Sequence, residues 1–148
     1  MKITEIKEYN EKVFRAVRTL LPQLDPAIIL PSDDFLRGII EGRDTFLFVA
    51  EDENGDIRGI LTLVRYDIPT GTKFWIEDVV VDESQRGKGY GRGLMIHAIR
   101  FAESHGARKI DLTSRPERIA ANRLYQDLGF IRRETNFYRY LPESVRKS

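Results

Sequence analysis

Residues 84–93 read SQRGKGYGRG, with glycines 87, 89, 91 and 93 at alternate positions and basic residues among them. Glycine gives up more conformational entropy on folding than any other residue, so a chain that keeps this many together uses the bare main chain for something. The charge of the intervening side chains points to an anion. KFWIEDVVVD (73–82) runs directly into the stretch and reads as a strand, β-branched at its end. Leu94, Met95, Ala98, Ile99 and Ala102 form an apolar stripe from Arg92 to His105, and Gly106 suits the position just past a helix end. A strand, a glycine loop and a helix in sequence place free N–H groups and the positive end of a helix dipole at the loop, where phosphates bind.

The flanking segments set the rest of the architecture. Val13, Phe14, Val17, Leu20 and Leu21 predict a helix within Lys7 to Leu20, and the proline-punctuated LPQLDPAIILP (21–31) reads as a loop. Ser32 or Asp33 caps a second helix through Ile40. FLFVAE (46–51), the turn ENGD (53–56) and IRGILTLVRY (57–66) form a hairpin. Beyond the glycine loop and its helix come a strand at 108–114, a helix from Glu117 to Leu128 stopped by Gly129, and a last strand, FIRRETNFYRY (130–140). The order predicts a mixed α/β sheet with one parallel crossover.

Composition narrows the chemistry. The 148 residues suit one domain, 1–148, with 41% hydrophobic residues for its core. Net charge is +1, from 24 Lys and Arg against 23 Asp and Glu, so there is no general attraction for nucleic acid and any anion site is local. The absence of cysteine excludes disulfides, thiolate zinc sites and cysteine nucleophiles. Two histidines, His97 and His105, are too few for a histidine-rich metal site, and no metal is expected. His97 lies near the edge of the helical stripe and reads as a packing residue. With neither a leader pattern nor a long apolar run, the expected compartment is the cytoplasm, with no membrane association.

Two familiar phosphate loops fail on spacing. No Ser or Thr follows a Gly-Lys pair, as a Walker loop demands. A dinucleotide fingerprint fails at Arg92 when counted from Gly87, and at Leu94 when counted from Gly89. VVVDESQRGKGYGRGLM (79–95) instead resembles the acyl-CoA-binding motif of the GNAT superfamily of N-acetyltransferases. Its Q/R-x-x-G-x-G/A core is met by Arg86, Gly87, Lys88, Gly89, Tyr90 and Gly91. SRPERIAANRLYQDLGF (114–130) is similar to the family's second signature, A-x-x-L-Y-x-x-x-G-F, through Ala121, Leu124, Tyr125, Gly129 and Phe130. The two arrive in the family's order and cover roughly the C-terminal half of the chain.

The resemblance implies a mainly antiparallel sheet flanked by helices, with a splayed parallel strand pair. It implies acetyl-CoA as co-substrate, its diphosphate on the amides of Arg86 to Arg92 and its pantetheine arm on the backbone of Val79, Val80 and Val81. Tyr125 is the family's acid for the leaving thiolate, and Asn122, three residues earlier on the same helix face, joins it at the cofactor. Glu77 is the candidate base or amine-orienting group; strict alternation puts it on a face with Trp75, Val79 and Val81, opposite Asp78. The position some histone acetyltransferases use for their base holds Trp75, which argues against protein lysine as acceptor. Direct transfer to a small-molecule amine in a ternary complex follows, since no cysteine can carry the acetyl group. The acceptor pocket is expected between Leu21–Pro31 and the loop Tyr66–Lys73. A homodimer is common among relatives. The alternative is a non-catalytic acyl-CoA or nucleotide-binding module on the same fold.

Overall fold

The structure is a computed structural model and describes residues 1–146. The described residues fall into two compact units that divide between Ser114 and Arg115. The first holds a five-stranded sheet in the order β1-β2-β3-β4-β5: β1 (Lys2–Ile6), β2 (Thr45–Glu51), β3 (Ile57–Ile68), β4 (Gly71–Val81) and β5 (Ile110–Asp111). The first three pairings are antiparallel and β4–β5 is parallel. The fold is the mixed, mainly antiparallel sheet expected.

Period-two alternation divides the strands between two helical layers. Leu47, Val49, Ile60 and Val80 face α1 (Glu11–Leu24) and α2 (Asp33–Glu41), which contribute Val13, Val17, Leu20, Leu36 and Ile40 to the same buried cluster. Phe48, Leu61 and Leu63, all fully buried, face the other way with Phe74 and Ile76. On that side lies α3 (Tyr90–Ser104), whose Leu94, Met95, Ala98 and Ala102 are buried. His97 sits edge-on to Phe48, with centroids 4.8 Å apart, in the packing role its place on the stripe suggested.

Helix boundaries follow local chemistry. Asn10 caps α1, its Oδ1 accepting from the Val13 N–H at 2.9 Å, and Ser32 caps α2 through the Phe35 N–H at 3.1 Å. Contrary to the sequence expectation, α1 continues through Pro22 to Leu24. A proline in the last turn removes one bond, while the extra turn seats the buried Leu21 and partly buried Leu24 against the sheet. β1 was not anticipated: KITEI carries no apolar run, yet it pairs along β2 from Lys2–Glu51 to Ile6–Leu47.

The second unit holds α4 (Ile119–Asp127) and the short α5 (Glu143–Arg146). The strand expected over 130–140 does not form. Its side chains stand in water: Ile131 is 81% and Tyr138 85% exposed. β-branched and aromatic residues favour a strand only where a ladder and a covered face receive them.

Candidate functional site

The glycine loop is anchored before it begins. The Asp82 N–H donates to the Arg58 carbonyl at 2.7 Å. Its carboxylate then caps a single 3₁₀ turn, Glu83–Gln85, accepting from the Ser84 N–H at 2.9 Å. Gln23 of α1 ties this turn down, accepting from the Glu83 N–H at 2.8 Å and donating to Asp82 at 3.4 Å. The Ser84 hydroxyl foremost, then the Ser84 amide and Gln23, hold the Asp82 carboxyl below its ordinary range against the cost of burial.

Past this anchor the backbone turns left-handed at Gly87 (φ 77°) and at Gly89 (φ 89°), the residue that opens α3 with no side-chain cap. An added Cβ at either glycine meets nothing within 4 Å. The first helical bond closes at the Gly93 N–H, which reaches the Gly89 carbonyl at 2.9 Å. The amides from Arg86 to Arg92 therefore donate to no acceptor among the described residues. Open space, positive φ and consecutive free donors at a helix start make a cradle that fits a diphosphate. Two basic side chains beside it are tethered locally: Arg86 Nε donates to the Val81 carbonyl at 3.3 Å and Lys88 Nζ to Gln85 at 3.3 Å. Tyr90 and Gly91 begin the helix.

The sheet opens beside this loop. Parallel pairing runs only through Phe74–Ile110 and Trp75–Asp111. β4 continues to Val81 with β3 on one side and, among the described residues, no strand on the other. Val79, Val80 and Val81 thus keep one backbone edge free of a strand for an extended ligand, with the Val81 carbonyl already accepting from Arg86 Nε.

A β-bulge redirects the side chains of β4. Thr62 pairs with Glu77 and Ile60 with Val80, so Asp78 and Val79 together oppose Leu61. Val80, rather than Val79 and Val81, consequently shares a face with Glu77, and the strict alternation expected from the sequence does not hold. Asp78 is the one non-glycine residue with positive φ (51°) among the described residues. Aspartate tolerates that conformation better than most side chains, at a cost of about 1–2 kcal/mol. Rather than pointing away from Glu77, Asp78 lines a cavity of about 580 Å³ together with Ile60 and Thr62, the cross-strand partner of Glu77.

This cavity lies between the α1–α2 layer and the sheet. Of the two segments expected to line an acceptor pocket, Leu21 and Ile28 to Pro31 line this cavity and residues 66–73 do not. Ser32, Phe35, Leu36 and Ile39 of α2 and its cap take their place. Asp78 is reached by water through the cavity yet surrounded by protein, and the lost hydration pushes its carboxyl above the ordinary range. A raised folded-state pKa makes the ionised group a burden at neutral pH, one that vanishes where folded and unfolded chains are both protonated. Asp78→Asn, which keeps a residue tolerant of positive φ, is therefore expected to raise stability at pH 7. The gain is at most about 1 kcal/mol because water screens the group, and it disappears below about pH 4. Thermal unfolding across that pH range measures it; an Asn variant less stable at every pH contradicts this account.

In the second unit, the tyrosine motif is a helix stop. The Phe130 N–H reaches the Tyr125 carbonyl at 3.0 Å and the Gly129 N–H the Gln126 carbonyl at 3.0 Å, with Gly129 at φ 99°. This is a Schellman ending, whose usual apolar contact is supplied by the rings of Tyr125 and Phe130, 6.2 Å apart. The spacing L-Y-x-x-x-G-F thus fixes the tyrosine ring. Burial pushes its hydroxyl above the usual tyrosine value, only partly offset by Arg118, so it stays protonated. Asn122 donates from its amide nitrogen to the carbonyls of Arg115 (2.8 Å) and Arg118 (2.9 Å), which leaves its Oδ1 for a ligand.

Among the described residues no helix is long and apolar enough to cross a membrane. Known proteins of two kinds are similar to this chain. The N-acetyltransferase YhdJ of Bacillus subtilis, itself uncharacterised, is 34% identical over 90 residues, 60% of this chain and 63% of that protein. Streptothricin acetyltransferase of Streptomyces lavendulae is 37% identical over 90 residues, 61% of this chain and 47% of the relative. The matches thus span between about half and two thirds of those relatives' lengths. An aminoglycoside acetyltransferase from an uncultured soil metagenomic sample, solved with sisomicin, superposes with a TM-score of 0.82 at 20% identity, over 95% of this chain and 96% of that one. At that identity the likeness speaks for the fold alone. The acetyltransferase (GNAT) family matches residues 10–130, from the N-cap of α1 to the end of the tyrosine motif, and the chain belongs to that family.

Proposed function

We propose that the protein transfers the acetyl group of acetyl-CoA directly to a primary amine of a small molecule, in a ternary complex. The observation that carries this reading is the run of free amides from Arg86 to Arg92 at the start of α3, beneath Gly87 and Gly89, both clear of neighbours. That run suits the diphosphate of the co-substrate, with Arg86, Lys88 and Arg92 adding positive charge. The open backbone edge of Val79 to Val81 suits the amide-bearing pantetheine arm.

Each residue then has a chemical task. The neutral amine nitrogen attacks the thioester carbonyl; the C–N bond forms and the C–S bond breaks. Glu77 accepts the proton lost by nitrogen. Tyr125 gives its proton to the departing sulfur and regains one from solvent, so the products are an acetamide and the free thiol. The burial that keeps Tyr125 protonated supports its part. Asn122 contributes to co-substrate binding through Oδ1. The cytoplasm as compartment and a homodimer as assembly belong to the same reading and rest on the family resemblance.

The test is release of free thiol from acetyl-CoA across a broad panel of amines. Tyr125→Phe is expected to lower kcat about 100-fold with little change in the KM for acetyl-CoA, and Glu77→Gln to lower kcat by one to two orders of magnitude, roughly. Variants as fast as the parent overturn those two roles. Calorimetric binding of acetyl-CoA with no amine acetylated makes the protein a binding module instead.

A further inference from the structure

We propose that the acceptor is a monoamine carrying a bulky hydrocarbon group, held in the cavity between the α1–α2 layer and the sheet with its ammonium on Asp78. The fate of that amine rests on the acetyl transfer proposed above; its binding does not.

The lining is the first argument. Of the residues that enclose the 580 Å³ space, Asp78 alone is charged, and the only other polar side chains are Ser32 and Thr62. The Ser32 hydroxyl already accepts the capping N–H of Phe35. A volume of this size matches a small-molecule pocket. Its walls are Val17, Leu21, Ile28, Leu36, Ile39 and Leu47, which gain from covering hydrocarbon and can satisfy few polar groups.

The mouth is the second. Ile29 is 89% and Phe35 65% exposed, and both line the cavity. Two large apolar side chains held in water at the rim of an apolar chamber are what an apolar guest covers. The single carboxylate gives the guest its charge: one cationic nitrogen, aligned by Asp78 at the bulge beside Glu77. Before transfer Asp78 takes one proton from that ammonium and passes it to solvent, leaving the neutral amine that attacks.

The same lining rejects other amines. A polycationic, many-hydroxylated aminoglycoside needs several carboxylates and hydrogen-bond partners, and the cavity offers one acid. A free amino acid brings a carboxylate, and no cationic side chain lines the walls. The substrates of structural relatives therefore do not carry over.

The experiment compares tryptamine and phenethylamine with kanamycin and free phenylalanine, by calorimetry without acetyl-CoA and then by thiol release with it. The arylalkylamines are expected to bind at least about tenfold more tightly than either comparator and to be acetylated with a correspondingly higher kcat/KM. Asp78→Asn is expected to weaken their binding about tenfold. Phe35→Ser, at a position too exposed to endanger folding, is expected to weaken it several-fold. Equal or tighter binding of kanamycin or phenylalanine overturns the proposal, as does tryptamine affinity unchanged in both variants. Tight, Asp78-dependent binding of arylalkylamines with no thiol released upholds the cavity assignment and overturns the transfer reading alone.

Discussion

Gly89→Val is expected to weaken acetyl-CoA binding by about 100-fold or more, the equivalent of roughly 2.7 kcal/mol. Two effects combine. A β-branched residue at φ 89° is strained by about 1–2 kcal/mol, and the backbone relieves that strain by turning amides away from their common focus. The new side chain also enters space that is open above the glycine, where the diphosphate of the proposed co-substrate would approach the N–H groups. Loss of stability alone would mimic neither result at a temperature well below unfolding. Gly106→Val supplies the control. Gly106 lies past the other end of α3, with φ 78° and no neighbour within 4 Å of an added Cβ, so its substitution carries the same backbone penalty away from the loop. Both variants should unfold earlier than the parent, and only Gly89→Val should lose calorimetric heat with acetyl-CoA. Parental affinity in Gly89→Val removes the amide cradle as the binding element.

How much of this was legible in the sequence depends on the range of the interactions involved. Caps, turns and the glycine loop are local: Ser32, the hairpin turn after β2 and the start of α3 fall where residue types demand. The tyrosine motif is local too, because a Schellman ending is closed by residues five apart in sequence. The failures are all long-range. β1 exists because β2 offers it a ladder, and no pattern inside KITEI announces that. FIRRETNFYRY has strand composition but pairs with no strand among the described residues, so it stays irregular. Pro22 reads locally as a helix stop, but burial of its neighbours carries the helix on. The bulge matters most for the site. IEDVVV gives no local sign of where an extra residue will be absorbed, so alternation assigned Asp78 to the wrong face. It also hid the acid that lines the cavity. The likeness of IEDVVV to the family singles out Glu77, whereas the bulge and the cavity single out Asp78.

Phe74→Ala is expected to destabilise the protein by about 3–5 kcal/mol, a large share of the roughly 5–15 kcal/mol that holds a domain together. Phe74 is fully buried on the α3 side of β4. It is also where the parallel pair is fastened: its N–H donates to the Lys109 carbonyl at 3.1 Å and its Cα lies opposite Ile110. Since pairing ends one residue later, at Trp75 and Asp111, a cavity here loosens the clasp below the open edge rather than the middle of a broad sheet. Phe48→Ala makes the comparison sharp. Phe48 is equally buried, packs edge-on against His97 and Phe101, and sits in the antiparallel centre, paired with Leu61. Urea denaturation should give similar losses for both. Hydrogen exchange should separate them, with amides of residues 72–76 and 109–111 accelerated selectively in Phe74→Ala and not in Phe48→Ala. Uniform acceleration in both variants would mean that the short parallel pair opens only with the whole sheet. The gap beside Val79 to Val81 would then owe its width to the sheet's twist and the bulge at Asp78 rather than to a separable clasp.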